Sequence, residues 1–128
     1  MRRVAILAIA LASPAAADVA EVSNCHHIEK TGFIQLIQCD VLNTSEKPIA
    51  EFSYGVRVGQ TDRQVPWYEN GMDGDNMFVA KVRGGIEPGE SVPVEFLTGQ
   101  IHERADRDKL TIKVRIHQSH DINGNPIQ

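Results

Sequence analysis

Five histidines, two cysteines and three methionines are the residues of this 128-residue chain best suited to bind a metal or carry redox chemistry. His26 and His27 follow Cys25 directly, His117 and His120 stand near the other end, and His102 lies between them. Neutral imidazole is a good ligand for zinc or copper, and the thioethers of Met72 and Met77 suit Cu(I). If the first and last strands are neighbours, imidazoles from both ends converge, and His26, His27, His117 and His120 become a candidate copper or zinc set. Side chains alternate across a strand, so at most one of His26 and His27 joins His117. The plainer expectation is exposed strand and loop histidines with no cofactor.

Cys25 and Cys39 are the only cysteines, and an exported domain with two thiols usually oxidises them to one disulfide. Glu29-Lys30-Thr31-Gly32 is a turn-like interruption between two β-like runs, so a hairpin folding there brings the cysteines together. Closing a loop of about fifteen residues stabilises the fold by roughly 3 kcal/mol in the chain-entropy estimate. Oxidoreductase pairs stand two residues apart, so a structural disulfide is the expectation.

Asp73-Gly74-Asp75-Asn76 and Asp121-Ile122-Asn123-Gly124-Asn125 resemble fragments of a calcium loop. The twelfth position counted from Asp73 is Gly84 rather than glutamate, and no glutamate follows Asp121. Both read as polar turns. Asn43-Thr44-Ser45 fits the N-glycosylation pattern, but a turn accounts for it as well. No Gly-x-Ser-x-Gly elbow, His-Glu-x-x-His pair, phosphate loop or Cys-x-x-Cys is present, and no enzymatic activity is expected.

Recognition then falls to the long connection from Gly59 to Asn76, which lacks strand alternation and carries Trp67, Tyr68 and Met72. Stiff aromatic side chains bury much area at little entropic cost, which suits a protein-binding loop. The competing reading is that Trp67 folds back as a plug over the open end of the fold.

The elements that must position these residues are strands. Leu110 to His117 alternates apolar and polar residues, as do Phe52, Tyr54, Val56 and Val58 with their polar neighbours. Val92, Val94 and Phe96 form a third set, and Phe78, Ala80 and Val82 a fourth. From Phe33 to Leu42 the phase changes, which requires either a bulge near Ile37 or a strand buried on both faces. Turn chemistry separates the strands at Asn43 to Pro48 and at Ile86-Glu87-Pro88-Gly89-Glu90, with a further break at Gly84-Gly85. The expected fold is all-β: an immunoglobulin-like Greek-key β-sandwich of about seven strands with one disulfide, the alternative being a small β-barrel.

Residues 1–17 read as a cleaved signal peptide: Arg2 and Arg3, nine apolar residues from Val4 to Ala12, and Ala15-Ala16-Ala17 before Asp18. A single domain over residues 18–128 is then exported, soluble, to the periplasm or outside the cell. The leader holds two of the thirteen basic residues and none of the seventeen acidic ones, so the mature formal charge is −6. That balance disfavours nucleic acid and anionic lipid. No later segment is apolar enough to insert in a membrane.

Val41 to Ile49, an aromatic-containing strand, and Ile86 to Val94 together resemble the immunoglobulin-like FxLYD group of extracytoplasmic bacterial domains. In that group a strand ends in an Asn-x-Ser/Thr turn and a Pro-Gly-Glu turn precedes a later strand. Phe52-Ser53-Tyr54-Gly55 stands here where the group carries an aromatic-x-Leu-Tyr-Asp. The resemblance implies a fold, a compartment and an accessory or binding role, and it transfers no catalytic residues. The function expected is an interaction module that binds a protein partner through the Trp67 loop or an open sheet edge. The alternative is a small metal-handling protein.

Overall fold

The computed structural model describes residues 19–29 and 35–127. The proposed leader and the turn at Lys30 to Gly32 lie outside them. Seven strands follow in order: β1 (Ala20–Glu29), β2 (Gln35–Asn43), β3 (Ile49–Gln60), β4 (Tyr68–Asn70), β5 (Phe78–Ile86), β6 (Ser91–Thr98) and β7 (Leu110–His120). One sheet has the order β1-β2-β6; in the other, β3 is flanked on one side by β7 and on the other by β4 and β5. All the pairings are antiparallel. The chain changes sheets at β2–β3, β5–β6 and β6–β7, a Greek-key winding that makes a two-sheet sandwich with free edges rather than a closed barrel. The described residues hold no helix beyond the single 3-10 turn at Arg107–Lys109, and no helix long and apolar enough to cross a membrane.

Alternation builds the core as expected. Phe52, Tyr54, Val56 and Val58 of β3, Ile37, Cys39 and Val41 of β2, and Val94 and Phe96 of β6 turn inward and are buried. Tyr54 sits edge-on to Phe96 at 4.8 Å and against Phe78 at 5.6 Å, geometries that aromatic quadrupoles favour.

One alternative is decided and two local expectations are corrected. β2 has no bulge near Ile37 and is buried on both faces; the extra residue lies on its partner strand, where Ser23 pairs with Asp40 and His26 with Gln38, so Asn24 and Cys25 together oppose Cys39. Asn24 takes the left-handed conformation (φ 54°) that such an extra residue needs and that Asn tolerates. β2 keeps its phase, and Leu36 on its other face is also buried. The break at Gly84-Gly85 is an irregularity inside β5, where Ile49 pairs with Ile86 but Glu51 pairs with Lys81. Finally, the connection after Gly59 contains strand structure, because β3 runs to Gln60 and β4 follows at Tyr68.

β4 and β5 lie end to end along one edge of β3, with β4 opposite residues 56–58 and β5 opposite residues 49–54. Residues 71–77 leave the sheet between them and fold over Gly55. A Cβ at Gly55 would stand 2.3 Å from the backbone of Gly71, so only glycine admits this close passage. Asp73 and Asp75 therefore belong to an excursion held by an Asp73 carboxylate that accepts from the Asp75 N–H at 3.1 Å. The second polar loop is closed in the same way, with Asp121 accepting from the N–H groups of Asn123 and Asn125.

Asn43 explains the end of the sandwich. Its side chain is fully buried, donates to the carbonyls of Lys47 and Ile86 at 2.8 Å each, and accepts from the Ser45 N–H and hydroxyl. Its backbone bonds Glu90 and Gly89. The two turns singled out in the sequence are thus tied to one another, and the Asn43 amide has no room for a glycan.

Candidate functional site

The sandwich has four strand edges, and three are interrupted. β1 is broken by the bulge at Asn24 and Cys25, which the Cys25–Cys39 disulfide bridges across a Cα–Cα distance of 4.1 Å. β5 is broken by its irregularity between Lys81 and Ile86. β6 carries Pro93, which has no N–H to offer. Its backbone at Leu97 is also clamped from across the core: the Tyr54 hydroxyl accepts from the Leu97 N–H at 2.9 Å and donates to its carbonyl at 3.3 Å. Burial pushes the Tyr54 phenol up to about 12, with the Leu97 bond opposing that shift and Tyr68 adding to it.

β7 is different. From Leu110 to Ile116 it pairs with β3 in unbroken register, and among the described residues its other edge has no partner strand along that length. Beside it runs a groove of about 740 Å³ between the two sheets. Ala20, Glu21 and Val22 of β1 line one wall, and Lys113 to His117 line the other. Ala20 and Val22 pair with the inward-facing Asn43 and Val41, so they present apolar side chains toward Val114 and Ile116, while Glu21 faces out. Lys113 and Arg115 stand exposed on the outer face of β7. Just past this stretch His117 is the extra residue of a bulge, and its Nε2–H donates to the Gly71 carbonyl at 2.7 Å.

The chain itself shows that this edge accepts a strand. After the Asp121 loop it doubles back, His120 bridges Pro126, and the Ile127 N–H donates to the Ser119 carbonyl at 2.9 Å. Ile127 is buried by this contact. Nearby, Ser119 Oγ and His120 Nδ1 are buried without a hydrogen-bond partner.

The other candidate residues fall elsewhere. The β1 bulge resets the strand's phase, so His27 pairs opposite buried Ile37 and bonds Gln35 at 2.7 Å, while His26 faces solvent. The part of β1 beside His117 is Ala20–Val22, several residues before either histidine. His120 pairs with Pro126. Among the described residues no three His, Cys, Asp or Glu side chains are grouped to hold a metal ion.

Trp67 packs against the core at one end of the sandwich. Its indole N–H donates to Gln60 at 2.9 Å, His102 stacks on the ring at 5.5 Å, and the Arg63 guanidinium lies 3.8 Å from the ring centroid. Gln60 also accepts from the Asp106 N–H, which draws the 101–106 loop over the same end. Its amide, together with Lys109, holds the Asp62 carboxyl below the usual range. Tyr68 packs on Gly99, where a Cβ would stand 2.1 Å from its ring. Met72 lies in the excursion and lines a recess with Asp73 and Asp75 and with Arg57, Glu69 and Arg115 of the neighbouring strands, whereas Trp67 lines another with Ile101 and His102. The β7 edge was missed at the level of single residues because strand alternation marks a strand without saying which edges are paired.

Compared with protein-family models, curated proteins and solved structures, the chain matches none. Its fold and covalent chemistry define the class: a disulfide-bonded, two-sheet antiparallel β-sandwich.

Proposed function

We propose that this protein is an extracytoplasmic interaction module, without catalysis of its own, that binds a protein partner along the unpaired edge of β7. One observation carries the reading. β7 offers seven consecutive residues of regular, unpaired edge beside a groove of mixed lining, in which Ala20, Val22, Val114 and Ile116 form the apolar part and Glu21, Lys113, Arg115 and His117 the polar part, whereas the other three edges are each interrupted. A long regular edge is normally blunted because it templates association, and an added strand gains both main-chain hydrogen bonds and side-chain burial. The amino-terminal Arg2-Arg3, apolar run and Ala-x-Ala, together with a disulfide that persists in oxidising compartments, support export to the periplasm or beyond. The resemblance to FxLYD-type domains supports an accessory role, and the two turns that carry it are the pair cross-tied through Asn43.

The Trp67 surface is the weaker docking candidate because its ring already engages Gln60, His102 and Arg63. The two surfaces are separated by photo-crosslinking in the native compartment, with a photoreactive residue at Thr111 on β7 or at Val65 beside Trp67, both exposed. The expected result is one defined protein adduct from Thr111 and none from Val65. Adducts from Val65 alone would move the site to the Trp67 loop.

A further inference from the structure

We infer that the strand accepted by β7 is an extended polypeptide segment in which apolar residues alternate with Asp or Glu, an inference that rests on the edge reading above. A strand added to β7 inherits its period of two, so its side chains fall into two rows with different surroundings. The inward row enters the groove between Ala20 and Val22 on one wall and Val114 and Ile116 on the other, which suits aliphatic side chains. Ile127 already fills such an inward position at the end of the same edge, buried, with its N–H on Ser119.

The outward row lies beside Lys113 and Arg115, at the roughly 5 Å spacing of cross-strand neighbours. Neither cation forms an ion pair among the described residues; Arg115 donates to the Met72 carbonyl at 3.3 Å and shares a recess with Glu69, Asp73 and Asp75, which leaves Lys113 the less compensated of the two. Lys113 is moreover set directly opposite Arg57, whose own carboxylate partner is Glu69 on the far side. Like charges directly opposite are unfavourable, so the Lys113 position on the outer face of β7 carries positive charge that an incoming carboxylate relieves. This occurs on a chain whose overall charge is negative. The same two cations disfavour a second copy as occupant, because two β7 edges paired about a two-fold axis would bring them against their own counterparts.

The test uses the mature protein and four soluble eight-residue peptides: alternating Val with Glu or Asp, the same residues in two blocks, alternating Val with Lys, and alternating Val with Ser. The alternating acidic peptide is expected to bind about tenfold more tightly than the block peptide or the lysine peptide. It is expected to slow hydrogen exchange at Leu110 to Ile116, and to lose about tenfold in affinity when Lys113→Glu and Arg115→Glu are combined. Both positions are exposed, and circular dichroism checks that the variant is folded. Equal binding of the block peptide, or binding indifferent to the double reversal, overturns the inference. If the serine or lysine peptide binds best while protecting β7, the edge reading stands and the acidic specificity fails. If no peptide protects β7, both fail. A concentration-dependent dimer that protects β7 without peptide would make a second copy the occupant and overturn the proposal.

Discussion

The two long sides of this sandwich are built from the same alternating strands, yet on one the edge backbone is sealed and on the other it is left open. On the β5/β6 side a single buried hydroxyl, from Tyr54, satisfies both backbone groups of Leu97 and removes them as a template. On the β1/β7 side Ala20 and Val22 of β1 face Val114 and Ile116, but among the described residues no strand pairs with the outer edge of β7 from Leu110 to Ile116, which stays regular beside the groove. The lesson is that hydrophobic alternation makes a face, while the fate of an edge is set by one or two polar atoms arriving from elsewhere in the chain.

The largest expected effect comes from removing the wall of the open side. Cys25→Ser combined with Cys39→Ser should cost about 3 kcal/mol in urea unfolding, the loop-closure value for this separation. It should also loosen β1 while leaving exchange at Leu97 slow; a uniform rise in exchange would mean that the two sides are not independent. Next is the seal itself. The folded Tyr54 phenol keeps its proton to about pH 12, whereas an unfolded tyrosine ionises near 10. Between those values the unfolded chain has released a proton that the native chain still holds, so stability falls as pH rises. The loss should approach roughly 2–3 kcal/mol by pH 12, with no contribution from this group below pH 10.

Tyr54→Phe should flatten that alkaline slope and cost about 1–2 kcal/mol at neutral pH, because it leaves the Leu97 N–H and carbonyl without their partner. An unchanged slope would place the alkaline sensitivity elsewhere. The smallest effect belongs to the open side. Lys113→Glu should change stability by less than about 0.5 kcal/mol, since the residue is exposed and unpaired. In the free protein, outward-pointing amides of β7 between Leu110 and Ile116 should exchange faster than the amide of Leu97. The reverse order would remove the contrast between the two sides.

Much of this fold was legible in the residues. The alternation of Leu110 to His117, of Phe52 to Val58 and of Val92 to Phe96 specifies strands and their buried rows, because period two is imposed by backbone geometry alone. The turns at Asn43 to Pro48 and Glu87 to Glu90 were equally readable, since Asn, Pro and Gly act on their own backbone. The disulfide followed from having two cysteines on either side of a turn.

The candidate site was far less legible. That β2 is buried on both faces, while the extra residue falls at Asn24 of β1, depends on what covers each face and on how the two strands pair. That Gly55 must be glycine depends on the backbone of Gly71 passing over it. That His27 and His117 stay apart depends on which stretch of β1 lies against β7. By itself the sequence determined the strands, the faces they bury and the turns between them, because these arise from interactions among near neighbours in the chain. Only the tertiary structure decided which edges are sealed and which is offered. Those outcomes rest on contacts between residues more than forty positions apart, such as Tyr54 with Leu97, which no local pattern encodes.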